Sequence, residues 1–148
     1  MTKFKLNLML LTQLPIAWIA GLKLHAYSPN ECSISVKLGF LNKNPFQSMF
    51  WAVQGMAAEL STGLLCMDTI KKSKHIISML VVEQKAQFFK KAKGKIVFTC
   101  SQGQEIKELI QCAIDTKESQ TITLKSDGID EVGDKVSSFE FVWSFKVK

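Results

Sequence analysis

Ser48 to Met67 is a run of twenty residues in which one side chain, Glu59, is charged. Met49, Phe50, Trp51, Val53, Met56, Leu60, Leu64 and Leu65 would point to every side of a helix there. Twenty helical residues span about 30 Å, and a helix with no wet face has to be enclosed by other structure. Ser48 is placed to cap its start. The remainder of the chain must therefore supply a layer that wraps this helix.

The flanking sequence supplies strands. Ser33-Ile34-Ser35-Val36-Lys37-Leu38 alternates polar and apolar, which predicts a half-buried strand within His25–Phe40, and Asn42 to Pro45 then turns the chain. Lys71 to Lys74 form a basic loop. Strands are expected over Ile76–Phe89 and Lys95–Ser101, joined by the turn Lys90 to Gly94. A short helix over Gln104–Asp115 follows from the spacing of Ile106, Leu109, Ile110 and Ala113. The last strands are Gln120–Lys125 and Val136–Val147, with Asp127-Gly128 and Gly133-Asp134 as punctuation between them. Phe139, Phe141, Trp143 and Phe145 share one face and read as core. This order predicts an α+β fold with a mostly antiparallel sheet. At 148 residues, and with no internal repeat, it is one domain.

Residues 1–24 form a helical lead. Lys3 and Lys5 precede an apolar run that resembles a leader peptide, but Asn7, Thr12 and Gln13 interrupt it and Pro15 breaks it. One or two short helices packed on the domain are expected, with a cleaved leader as the alternative. The segment falls short of the about 20 apolar residues a spanning helix needs, so no membrane insertion is expected.

The net charge is +6, and all nineteen cations are lysine. Without arginine, recognition through planar bidentate phosphate or guanine contacts is disfavoured, and no nucleic-acid partner is expected. The excess sits between Lys71 and Lys95, where eight lysines face Glu83 alone. Cys32, Cys66, Cys100 and Cys112 lie far apart in apolar segments and offer no paired spacing for a metal. They read as buried free thiols, consistent with the cytoplasm.

Glu59 is the residue that carries chemistry. A carboxylate among Met56, Ala57, Ala58 and Leu60 must be protonated, hydrogen-bonded or functional, unless it emerges at an edge beside a lysine. Ser48 reads as a cap, while Gln47 and Gln54 are either substrate contacts or core-edge hydrogen bonders. His25 and His75 lack a partner motif.

Asn44-Pro45-Phe46-Gln47-Ser48-Met49-Phe50, followed by a small-residue helix with Ala57-Ala58-Glu59-Leu60, resembles the hotdog-fold acyl-CoA thioesterases, in particular the phenylacetate-pathway type. The resemblance runs from about Pro15 to Lys148 and implies a curved antiparallel sheet wrapped around one long central helix. It implies Glu59 as general base or nucleophile and Asn44 and Ser78 as positioners of the attacking water. The Trp51 N–H would polarise the thioester carbonyl. It further implies Gln47, Ser48, Phe50 and Gln54 as substrate contacts, with Lys90, Lys91 and Lys93 near the phosphates of coenzyme A. That molecule would arrive as part of the substrate, with no separate cofactor. A homodimer or dimer of dimers is implied. Phe50, Trp51 and Ala52 stand where the family usually has His-Gly-Gly, and the indole would narrow an acyl tunnel. The implied function is hydrolysis of an acyl-CoA or acyl-carrier thioester; the alternative is a non-catalytic hotdog protein that binds an acyl chain or thioester.

Overall fold

The computed structural model describes residues 1–148. Helix α1 (Lys3–Gln13) and the short α2 (Pro15–Ile19) lead into β1 (Lys23–Tyr27) and β2 (Cys32–Lys37). A 3-10 turn at Phe40–Asn42 precedes the central helix α3 (Trp51–Ser73), which is followed by β3 (Ile77–Phe88) and β4 (Lys95–Cys100). Helix α4 (Gly103–Thr116), β5 (Gln120–Ile129) and β6 (Lys135–Val147) complete the chain. The six strands form one antiparallel sheet in the order β1-β2-β4-β5-β6-β3, curved around α3. This is the hotdog arrangement.

Alternation along the strands sets which side chains meet the helix. On β6, Phe139, Phe141, Trp143 and Phe145 are buried while Lys146 is exposed, so the odd-numbered residues face inward. Phe139 is the aromatic hub: Phe88, Phe98 and Phe141 surround it at 5.7, 6.0 and 6.1 Å between ring centroids. Buried polar groups on the helix find partners on the sheet. Trp143 Nε1 donates to Thr62 Oγ1 at 3.0 Å, and the Ser61 and Ser126 hydroxyls lie 2.8 Å apart. Leu6 and Leu10 of α1 are fully buried, so the lead is packed on the domain.

Several boundaries differ from the sequence expectation, each for a local reason. The strand expected over His25–Phe40 is a hairpin, because Ser28 Oγ accepts from the N–H groups of Asn30 and Glu31 and turns the chain there. Ser48 does not cap α3. Its N–H and its hydroxyl both donate to Asn44 Oδ1, so the helix starts three residues later with no side-chain cap. The helix also continues past Met67 to Ser73, supported by the Asp68–Lys72 pair at 2.6 Å, and stops where Lys74 turns left-handed at φ 60°. Gly128 is part of β5, not a turn: it pairs with Ser137, and a Cβ there would sit 2.5 Å from the Phe98 ring. The turn is Asp130 to Asp134, where Asp130 Oδ1 accepts from two backbone N–H groups. Three cysteines are buried, but Cys112 is exposed on α4.

Helix α3 is not enclosed all round. Gly55 lies against Phe139 and Gly63 against Trp143, whereas Glu59, between them in sequence, is exposed. Beyond them Trp51 and Met67 are 54% and 44% exposed. The sheet leaves open a stripe through Trp51, Ala52, Met56 and Glu59, which are exposed or half-buried.

Candidate active site

Two features lie along the open stripe, two helical turns apart: the bare start of α3 and the Glu59 carboxyl. At the start, Val53 N–H and Gln54 N–H both reach the Phe50 carbonyl, at 3.0 and 3.4 Å. The N–H groups of Trp51 and Ala52 donate to nothing in the protein, and no side chain caps them. Free N–H groups at a helix start carry partial positive charge and suit a developing oxyanion.

A recess of about 350 Å³ opens at this point. Asn44, Ser48, Trp51, Gln54, Lys90 and Lys91 all line it, so six of the residues singled out in the sequence are brought together. They differ in what they have left to offer. Asn44 Oδ1 is engaged by the Phe46 and Ser48 N–H groups and the Ser48 hydroxyl, whereas its Nδ2 has no protein acceptor. Gln54 is buried with both ends of its amide engaged, Nε2 on the Met49 carbonyl and Oε1 on the Ser137 hydroxyl at 2.8 Å. It therefore anchors the helix start to β6. Lys90 is held by Asp130 and Asp134, both at 2.7 Å, while Lys91 forms no ion pair.

The remaining residues, Glu59 among them, lie outside the recess. Gln47 is exposed on the loop at φ 56°, and Phe50 stacks edge-on against Trp51 at 6.0 Å. Lys93 is exposed and unpaired on the turn before β4. Ser78 is paired with Lys146, on the sheet face that points away from α3, so it is not brought to Glu59.

Glu59 is solvent-accessible at its rim yet forms no ion pair or side-chain hydrogen bond. Burial of its carboxyl by the surrounding apolar wall raises its pKa above the ordinary carboxylate value. Ala52 and Glu59 are seven residues apart, two turns on one helix face and about 10 Å of rise.

Phe88 and Phe89 also line the recess and were not singled out in the sequence. Their signal is two consecutive aromatics where the strand alternation of β3 should have ended in a polar residue. No three His, Cys, Asp or Glu side chains converge anywhere in the chain, and no helix is long and apolar enough to cross a membrane.

The architecture recurs in solved structures. A Pseudomonas aeruginosa protein described as a probable thioesterase superposes with a TM-score of 0.83 at 20% identity, over 99% of this chain and 97% of that one. A Haemophilus influenzae thioesterase gives 0.74 at 12% identity, over 99% and 92%. A second Pseudomonas aeruginosa thioesterase, solved as a mutant, gives 0.77 at 10% identity, over 100% and 96%. No curated protein matches the sequence. The family model described as a domain of unknown function, DUF4442, matches residues 3–145, and the chain belongs to that family.

Proposed function

We propose that this chain is a thioesterase that hydrolyses an acyl-CoA or acyl-carrier thioester, with Glu59 as general base or nucleophile. The observation that carries the proposal is the unpaired, partly desolvated Glu59 on the same helix face as the free Trp51 and Ala52 N–H groups. As general base, Glu59 takes a proton from water while the water oxygen bonds to the thioester carbon. The helix-start N–H groups hold the oxyanion, the C–S bond breaks, and the thiolate leaves with the proton. As nucleophile, the Glu59 carboxylate bonds to the thioester carbon, the C–S bond breaks and the thiolate leaves; water then opens the mixed anhydride, releasing the carboxylic acid and restoring Glu59. The free Asn44 Nδ2 is a donor for positioning that water.

In this reading Lys91 and Lys93, both unpaired, attract the phosphates of coenzyme A, which comes with the substrate, so no separate cofactor is required. Lys90, the third lysine of the same turn, is already held by Asp130 and Asp134. A second copy completes the site. Strand β3 has one unpaired edge and exposes Leu80, Val82 and Phe88, a liability that pairing with another chain removes. A homodimer, or a dimer of dimers, would cover the open stripe. The three buried reduced thiols suit the cytoplasm.

Thiol release from a panel of acyl-CoA substrates tests the reading. Turnover that falls about a hundredfold or more in Glu59→Gln supports it; undiminished turnover in that variant overturns it. The second reading, an acyl-binding protein without cleavage, is favoured by the Trp51 indole at the recess mouth with Phe50 edge-on beside it. A bound acyl thioester with no turnover across the panel would decide for it.

A further inference from the structure

Helix α1 is apolar on two opposite faces. Leu6 and Leu10, one turn apart, are buried against the domain. Phe4, Leu8 and Leu11 share the other face, at i, i+4 and i+7, and are 78%, 52% and 49% exposed. A helix that only had to pack on the sheet would carry polar residues there. The exposed apolar surface continues past the helix break into α2, where Ile16, Trp18 and Ile19 are also exposed.

Lysines border this stripe on both sides. Each helical residue turns by about 100°, so Lys3 and Lys5 stand on the two flanks of the helix, either side of Phe4. Both are exposed, and neither is in an ion pair. Beyond Lys3, the exposed and unpaired Lys23 and Lys37 line the same hollow as Lys3 and Phe4. Residues 1–30 contain no aspartate or glutamate. Lysines flanking an apolar stripe can lay their aliphatic stems along an apolar phase and keep the ammonium groups at its wet, anionic boundary.

The charge argues against a second copy of the chain as the occupant. A two-fold contact pairs a patch with itself, which would set Lys3 and Lys5 against the same lysines of the partner. Helix α1 packs on β1, at the opposite end of the sheet from β3, so pairing at β3 would not cover it.

We propose that α1 and α2 dock the protein on an anionic lipid bilayer. Helix α1 lies in the plane of the interface, with Phe4, Leu8 and Leu11 among the acyl chains and Lys3 and Lys5 at the lipid phosphates. Its eleven residues span about 16 Å, too short to cross the hydrocarbon core. The surface is separate from the recess at the start of α3 and does not depend on the thioesterase reading.

Co-sedimentation of the full chain with two sets of vesicles tests the proposal: phosphatidylcholine and phosphatidylglycerol in equal parts, and phosphatidylcholine alone. Binding to the mixed vesicles is expected, at least about tenfold tighter than to phosphatidylcholine and weaker in added salt. Leu8→Glu should weaken it about tenfold or more, and Lys5→Ala about fivefold. Both variants should keep the wild-type circular dichroism and hydrolysis of a soluble acyl-CoA. Lys91→Ala should leave vesicle binding intact. The proposal is overturned if the chain binds neither vesicle, if phosphatidylcholine binds it as well as the mixture does, or if Lys91→Ala weakens binding while Leu8→Glu does not. A wild type that ignores both vesicles, with a lower mass for Leu8→Glu in light scattering, would give the stripe to a second copy and overturn it too.

Discussion

Ser137 Oγ donates to Gln54 Oε1 at 2.8 Å, and through this buried bond the first turn of α3 is fixed to β6. The other end of the same amide holds the Met49 carbonyl, so Gln54 sets where the free Trp51 and Ala52 N–H groups point. Gln54→Ala should cost about 1–3 kcal/mol, since it leaves buried partners unsatisfied. Ser137→Ala should cost less but still lower kcat. Urea unfolding and steady-state hydrolysis measure both; a Gln54→Ala protein with full stability and full kcat would remove the anchoring role.

Glu59 gives a pH-dependent prediction of opposite sign to an ordinary paired carboxylate. Its folded pKa is raised by burial, so the folded chain holds this proton more tightly than the unfolded chain. Its contribution to stability is therefore best at acid pH, and declines as pH rises through the carboxylate range. Glu59→Gln removes that decline. Its Tm should exceed that of the wild type at about pH 7, and the gain should shrink toward zero at about pH 3. A gain of the same size at both pH values would place the effect in something other than ionisation.

Lys90 and Lys91 are neighbours with different jobs. Asp130 lies below the usual carboxylate range because Lys90 hydrogen-bonds it. Stability from that pair is present above the unfolded carboxylate pKa and is lost as pH falls through the folded one. Lys90→Ala should lower Tm at neutral pH, with the deficit fading in acid. Lys91→Ala should leave Tm unchanged and raise KM for a coenzyme A thioester, an effect that added salt diminishes. Scanning calorimetry and initial rates separate the two; a Tm loss confined to Lys91→Ala would reverse the assignment.

The enclosing sheet was legible because alternation along Lys95–Cys100 and Lys135–Val147 marks one buried face, and because a nearly uncharged twenty-residue helix has to be covered. The split into β1 and β2 was written in Ser28-Pro29-Asn30, a turn signal that the alternation around it obscured. Gly128 read as a turn because close approach to Phe98 leaves no mark in a sequence. At the site, the isolation of Glu59 was visible and its emergence at an edge was one of the two readings, left open because helix periodicity cannot tell which side a sheet fails to cover; no lysine meets it there. The outward placement of Ser78 was equally hidden, since Ile77, Met79 and Val81 on one face of β3 and Leu80 and Val82 on the other are all apolar.

Those two apolar faces bear on assembly. Leu80 and Val82 are 63% and 53% exposed on an edge strand twelve residues long. Light scattering should give at least twice the 16.6 kDa chain mass. Replacing both residues with glutamate should return the mass toward that of a single chain and abolish hydrolysis with it. A monomeric wild type with full activity would refute the requirement for a second copy.

The central claim rests on one carboxylate. The most direct test is single-turnover hydrolysis of an acyl-CoA by wild type and Glu59→Gln, followed by thiol release. The account predicts measurable turnover in the wild type and a loss of about a hundredfold or more in the variant, with the fold intact. Equal rates in the two proteins would contradict it.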